Sequence, residues 1–382
     1  MPYFDHNATT PLLPVAREAW LRAVDEAWQN PSSPYREAAR VRIRLDSARE
    51  RFAQFLGCKP KLLVFNSGAT EGANDVFRHW ARATDPSLRV AISPTEHPCV
   101  LEAAKESMGA RLAWLETTAA GVVKLDALDR LLGQETLAGV VTMAANNETG
   151  VLQPWSEIAQ RCRARGVPFF CDATQWLGKL PASRLSEVDW VIGSAHKFGG
   201  PKGVGFLKLP AGAEGFHGLR GGEQEHAHRG GTENFPGISA MLAALAEAEE
   251  KKVFLEMQRL AWREAFERDL GARIPGVVVV AKTAERLWNT VSLLMPHTEN
   301  HRWVARLEKS GFQVSTGSAC ATGKNGPSHV LAAMGLDAIE AKRTVRVSAG
   351  WETTEEDWRG LLDAFAKVAI ELQPAATQVI QP

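Results

Sequence analysis

The chain has few of the features that stabilise secreted proteins or hold proteins in membranes. Its five cysteines, Cys58, Cys99, Cys162, Cys171 and Cys320, are odd in number and contain no C-x-x-C, which argues against a disulfide framework and against a structural zinc site. No metal is expected, and four of the five thiols are expected to pack as small hydrophobes. No stretch of about 18 uninterrupted apolar residues is available to span a bilayer. The opening residues Met1-Pro2-Tyr3-Phe4-Asp5-His6 lack the basic and apolar regions of a signal peptide, so the expectation is a cytoplasmic protein with no membrane partner. An excess of one charge is missing as well. Lys+Arg and Asp+Glu both number 44, and no basic run makes an electrostatic footprint for nucleic acid. Internal repeats and low-complexity segments are also absent. A small-molecule ligand is the class these absences leave.

What is present is a soluble globular composition, 45% hydrophobic and 23% charged over 382 residues, longer than one core usually holds. Two domains are expected: a large one over residues 15–255, and a smaller one made of residues 1–14 and 256–382. Helical periodicity runs from Pro14 to Trp28 and from Tyr35 to Leu56, the latter closed by Gly57. Buried strands are expected at Leu62–Phe65, Arg89–Ser93, Gly139–Met143, Val167–Cys171, Val188–Ile192 and Gly203–Leu209, with helices between them through Trp80 and Met108. That alternation predicts an α/β fold with a mostly parallel sheet. A long helix from Pro236 to Leu270 leads to a shorter α/β region. This region has strands at Val277–Val280, Thr290–Leu294, Phe312–Val314 and Thr344–Ser348, a helix from His301 to Lys309, and a last helix to about Leu372 behind a capping box at Thr353–Glu356.

Polar clusters follow the predicted strands again and again: Asn66-Ser67-Gly68-Ala69-Thr70, Thr95-Glu96-His97, Asn146-Asn147-Glu148-Thr149-Gly150, Asp172-Ala173-Thr174-Gln175 and Ser194-Ala195-His196-Lys197. The carboxyl ends of strands are where open α/β sheets bind ligands. Strand, glycine turn and helix at Thr70 suit an anion, although a plain capped helix start reads the same. His97 is either a helix-terminal polar residue or an imidazole lying over a planar ring. Lys197 stands before the glycine-rich turn Phe198-Gly199-Gly200-Pro201-Lys202-Gly203, which permits close backbone approach to a ligand. A lysine that can bind an aldehyde covalently, with an aspartate on the preceding strand, is the pair pyridoxal phosphate needs. The amine anchors the aldehyde, and the carboxylate keeps the ring nitrogen protonated so that the ring accepts electrons.

Two further features lie in the C-terminal part. Gly317-Ser318-Ala319-Cys320-Ala321-Thr322-Gly323 surrounds one thiol with small residues, a setting for an accessible nucleophile. Arg346 sits inside the apolar strand Thr344–Ser348 and needs an anion, either a substrate carboxylate or an internal salt-bridge partner.

In order and spacing these motifs resemble the cysteine desulfurases, in the class V aminotransferase branch of fold-type I pyridoxal-phosphate enzymes. Phe4-Asp5-His6-Asn7-Ala8-Thr9-Thr10, Asn30-Pro31-Ser32-Ser33 and Arg229-Gly230-Gly231-Thr232-Glu233-Asn234 complete the set. The resemblance implies pyridoxal 5′-phosphate bound to Lys197, with Asp172 at the ring nitrogen, Gln175 at the phenolic oxygen and His97 stacked on the ring. It implies Thr70, Ser194 and His196 at the phosphate, joined by Thr232 from the partner subunit of a homodimer. Asn147 and Arg346 match positions that hold the carboxylate of L-cysteine, and Cys320 matches the cysteine that takes the sulfur as a persulfide. A sulfur-acceptor protein or iron–sulfur scaffold is implied downstream. A cysteine or selenocysteine lyase, or an aminotransferase of the same superfamily, would share most of these residues. The chain departs from the family's pattern at Tyr35 for histidine, Ala38 for glycine, His226-Ala227-His228 where arginines are usual, Trp288 for proline, and in its last ten residues.

Overall fold

Val140 and Val141, Phe169 and Phe170, Val191 and Ile192, and Phe206 and Leu207 are four neighbouring pairs whose members enter two different cores. Successive side chains of a strand point to opposite faces, so a sheet buried on both sides needs apolar residues in continuous runs. The structure, a computed structural model, describes residues 1–213, 215–317 and 327–373, without the side chains of residues 251–254. Its central sheet contains β1 (Leu63–Asn66), β2 (Arg89–Ile92), β3 (Leu112–Trp114), β4 (Leu137–Met143), β5 (Phe169–Asp172), β6 (Trp190–Ser194) and β7 (Gly205–Lys208). They lie in the order β1-β7-β6-β5-β4-β2-β3. Every pairing is parallel except those of β7, which runs antiparallel to β1 and β6.

The helices of this part are α1 (Pro14–Glu26), α2 (Arg36–Leu56), α3 (Ala69–Ala83), α4 (Pro98–Met108), α5 (Leu125–Gln134) and α6 (Trp155–Ala164). α2 ends where Gly57 turns left-handed at φ 62°, the usual helix stop. Ala38, where glycine was the pattern, is fully buried in α2. β3, α5 and α6 add to the elements expected from the sequence.

Because β1, β2, β4, β5 and β6 run the same way, their carboxyl ends share one edge, and each polar cluster emerges there. β7 starts at that edge as well, pairing Gly205 with Ser194. The ten residues between them, Lys197 included, therefore form a closed loop pinned by Ala195 N–H to Val204 O at 3.1 Å and Gly200 N–H to Ala195 O at 2.9 Å.

A 39-residue helix, α7 (Phe235–Arg273), follows, longer at both ends than the periodicity indicated. A second sheet of β8 (Val278–Val279), β9 (Thr290–Leu294) and β10 (Thr344–Ser348) is antiparallel in the order β10-β9-β8. It packs with α8 (Asn300–Lys309) and α11 (Glu355–Glu371) around Phe4, Phe266, Leu293, Trp303, Val345 and Phe365, while α9 (His329–Ala333) and α10 (Ala338–Ala341) form a smaller cluster of Val280, Val330, Leu331, Met334 and Ala341. The N-terminal residues belong to this layer: Tyr3 bridges Gln313 and Asp5 bridges Ser348.

Two expectations are corrected. Phe312–Val314 is not a strand, since Gln313 pairs only with the N-terminal segment. The cap of α11 is built by Thr354 and Asp357, not Thr353 and Glu356, because the buried Thr353 hydroxyl accepts Gly350 N–H at 2.9 Å.

The loop from 217 to 234 turns through three successive left-handed residues, Glu225, His226 and Ala227, at φ 51°, 57° and 66°. Strain of this kind persists only where neighbours enforce it. The clamp is a buried bidentate pair, Arg49 Nη1 to Glu225 Oε2 at 2.6 Å and Nη2 to Oε1 at 2.8 Å. Arg49 also donates to Leu63 O and Glu225 accepts Phe65 N–H, tying the loop to β1. Glu225→Ala strands a buried guanidinium and should lower stability by about 3–5 kcal/mol in urea unfolding. The double substitution Arg49→Met with Glu225→Met leaves no stranded charge and should cost less than that single one.

Candidate active site

At the shared edge lies a cavity of about 250 Å³ lined by Thr70, His97, Asn147, Asp172, Gln175, Ser194, His196 and Lys197, with Ala8, Cys99 and Thr174 among the remaining walls. Eight residues singled out from the sequence thus face one space, supplied by the ends of five strands. The volume is below the roughly 300–1,000 Å³ of most ligand pockets, which suits a compact ligand.

Lys197 ends a single 3₁₀ turn, Ala195–Lys197, immediately after β6. Its Nζ donates to Asn7 O at 2.7 Å and Ala8 O at 2.8 Å. The Asn7 carbonyl also receives Gln175 Nε2 at 2.9 Å, and the Asn7 side chain reaches Asn147 O at 3.1 Å and Thr290 Oγ1 at 2.9 Å. Asp172, the last residue of β5, accepts Thr174 N–H at 2.9 Å through Oδ1.

His97 caps α4. The backbone N–H of Cys99 donates to its Nδ1 at 3.2 Å, and the Cys99 thiol lies 3.0 Å from the same nitrogen. An amide N–H only donates, so a neutral ring carries its proton on Nε2. Burial pushes the His97 pKa down, aided by the charges of Lys197 and His329 and opposed by Asp172.

Part of the lining suits an anion. Ser194 Oγ accepts Ala69 N–H, the first residue of α3, at 2.8 Å, and Thr70 follows on that helix, whose amide end is electropositive. His196 Nδ1 lies 3.0 Å from Thr9 Oγ1. Burial, with Lys197, Lys202 and Lys179 nearby, brings the His196 pKa down to about 4. The imidazole is therefore neutral near pH 7.

Arg346 does not line the cavity. It is 2% exposed and bonds Asp5 Oδ1 at 2.6 Å, Asn147 O at 2.9 Å and Gly317 O at 2.8 Å, while its Nε has no acceptor among the described residues. Of the two partners left open by the sequence, the structure displays the internal one. Thr232 is exposed and away from the cavity. Cys320 lies outside the described residues. Cys99, expected to be an inert core thiol, is instead a wall of the cavity; Cys162 and Cys171 are buried.

The residues present fit pyridoxal 5′-phosphate. Hydroxyls and a helix N-terminus stand at one end, the Asp172 carboxylate on another wall, and a lysine amine opens onto the same space. The Thr174 hydroxyl in the same wall is buried without a partner among the described residues, an unmet polar group that a bound ligand would satisfy. Among the described residues no cluster of His, Cys, Asp and Glu could hold a metal ion.

Residues 2–361 match the family described as aminotransferase class-V. The cysteine desulfurase of Trichormus azollae is 34% identical over 377 residues, covering 97% of this chain and 93% of that protein. The chain belongs to the cysteine desulfurase family. Among solved structures, a NifS-like protein superposes on this family member with a TM-score of 0.88 at 30% identity, covering 97% of this chain and 100% of that one. SspA in complex with cysteine gives 0.79 at 29%, covering 91% and 99%.

Three groups of this desulfurase-family cavity escaped the sequence. The Asn7 and Ala8 carbonyls are backbone atoms with no residue signature. Cys99 carried one cue, its place two residues after His97 at a helix start.

His196 links the site to pH. Between its unfolded value of 6.5 and its folded value of about 4, the unfolded chain binds the proton and the folded chain does not, so this residue withdraws stability as pH falls through that window. His196→Gln cannot titrate. The stability of the parent relative to this variant should therefore fall as pH is lowered from about 6.5 to about 4 in urea unfolding.

Proposed function

We propose that this chain is a pyridoxal-phosphate-dependent enzyme that converts L-cysteine to L-alanine and leaves the substrate sulfur as a persulfide on Cys320. The observation that carries the reading is the Lys197 amine opening onto the same cavity as Asp172, Gln175 and the Thr70–Ser194–His196 anion cradle. The family relationship supports the activity, and the cysteine bound to SspA supports the substrate.

When bound, the cofactor supplies an electron-accepting ring conjugated to the substrate's Cα. This chain's residues do the rest. Asp172 would hold the ring nitrogen's proton, Gln175 would donate its amide N–H toward the phenolic oxygen, and His97 would face the ring. Thr70, Ser194 and His196 would hold the phosphate, joined by Thr232 from the partner subunit of a homodimer. Asn147 and Arg346 orient the substrate carboxylate; Arg346 brings the unpartnered Nε–H. Lys197 takes the Cα proton through its amine. The Cys320 thiolate attacks the substrate sulfur, so that an S–S bond forms as Cβ–S breaks. Protonation of the remaining fragment gives alanine. The persulfide passes to a sulfur-acceptor protein or an iron–sulfur scaffold. We place the enzyme in the cytoplasm, where unpaired thiols such as Cys58, Cys99, Cys162 and Cys171 are at home.

Borohydride should fix the cofactor to Lys197 and to no other lysine, and Lys197→Ala should abolish the attachment in a peptide map. Cys320→Ala should retain cofactor and bind cysteine, while alanine formation falls roughly a thousandfold or more, within the ~7–11 kcal/mol that a positioned nucleophile supplies. Undiminished alanine, or pyruvate and ammonia in its place, would identify a lyase.

A further inference from the structure

Beside the cavity, Lys179 is a lysine that none of the roles above uses. It is 4% exposed, on the segment that follows β5. The preceding Gly178 has φ 77°, and a Cβ there would stand 2.0 Å from Phe198 Cβ, so the segment is pressed against the residue next to Lys197. Two indoles hold its backbone: Trp351 Nε1 donates to Gly178 O at 2.7 Å and Trp288 Nε1 to Lys179 O at 3.1 Å. Their ring centroids are 4.1 Å apart. Trp288, which stands where the family's pattern has proline, therefore has a definite task.

Lys179 Nζ donates to Gln175 Oε1 at 2.9 Å. An ammonium can only donate, so this bond decides which end of the Gln175 amide is oxygen. The NH₂ end then gives one hydrogen to Asn7 O at 2.9 Å and keeps the other for the cavity that Gln175 lines. The same Asn7 carbonyl accepts Lys197 Nζ. The chain Lys179, Gln175, Asn7 O and Lys197 is continuous. Lys179 and Lys197 also share a second, smaller cavity of about 40 Å³, lined with His6, Trp288, Trp351 and Glu352.

We propose that Lys179 is a positioning residue: it fixes the Gln175 amide with N–H toward the cofactor's phenolic oxygen and places a buried positive charge beside Lys197. The proposal rests on reading the larger cavity as the pyridoxal-phosphate site. Its electrostatic half has independent support within the protein, because Lys179 reaches two histidines. Burial first and then Lys179 hold His6 at about 4, opposed by the hydrogen bond that the His6 ring donates to the Tyr3 backbone. Burial, Lys197, Lys202 and Lys179 do the same for His196. The charged and titratable groups facing the segment are His6, His196, Lys197, Glu352 and, across the larger cavity, Asp172.

The test compares Lys179→Met, Lys179→Gln and Lys179→Arg with the parent. In cofactor-free protein, the His6 and His196 titrations followed by NMR should move up in the Met and Gln variants and stay in place in the Arg variant. In loaded protein, the pH at which the visible band of the bound cofactor changes should rise by roughly one unit in the Met and Gln variants, the size a neighbouring charge exerts, with Arg restoring the parent value. Histidines that do not move in the Met variant, or in the Gln variant should the Met variant fail to fold, would overturn the proposal, as would an unmoved band in loaded protein. A parent that never develops a visible band would instead overturn the cofactor reading, and the histidine titrations would still decide the case for Lys179.

Discussion

The site depends on one strap of backbone. Residues 3–13 leave the smaller layer, where Tyr3 is bridged to Gln313 and Asp5 to Ser348 of β10, and run along the mouth of the central sheet. There Thr10 N–H bonds His196 O and Leu13 N–H bonds Gly199 O. Midway, the Asn7 and Ala8 carbonyls meet the Lys197 amine. Asp5 meanwhile neutralises Arg346, which is otherwise a buried cation in β10. A buried charge is costly unless it is paired, so the strap is bound near one end by an ion pair, midway by Lys197 and at its far end by the His196 and Gly199 carbonyls. The central sheet supplies the reactive groups; the strap sets how they stand relative to the second sheet.

Electrostatics around the cavity follow from burial more than from pairing. Desolvation lowers the pKa of His97 and, with the neighbouring lysines, brings that of His196 down to about 4. Glu96, with no exposed surface, is pushed well above the ordinary carboxyl range by burial and by Asp172. Two carboxyl groups close together do not both ionise without penalty. Glu96 accepts Met143 N–H at 2.6 Å as a structural group beneath the site.

Most of the central sheet was legible because fully buried parallel strands write themselves as apolar runs, and their polar punctuation marks the ligand-binding edge. What escaped has a common cause. The acceptors for Lys197 are carbonyls, the partner of Arg346 lies 341 residues away at Asp5, and Lys179 looks like any surface lysine until folding buries it. None of these leaves a local pattern. Phe312–Val314 has strand-like side chains but no neighbouring strand beyond a single bridge, so a local preference was overridden by the tertiary arrangement. The cap of α11 was misplaced by one residue because Thr353 and Thr354 offer the same hydroxyl, and only the turn at Gly350 distinguishes them.

α7 has a mechanical meaning. Its 39 residues make a rod of about 58 Å that packs on α1 and α2 at one end and on α11 at the other. Helices bend sharply at proline, at glycine or where the hydrogen-bond ladder is interrupted. Here Pro236 and Gly237 stand in the first turn and Gly271 in the last, with no glycine or proline between them. Swinging one sheet against the other would mean bending this rod in mid-span and breaking consecutive helical hydrogen bonds. With no such break between its two ends, the helix resists any change in the spacing of the two cores that it joins.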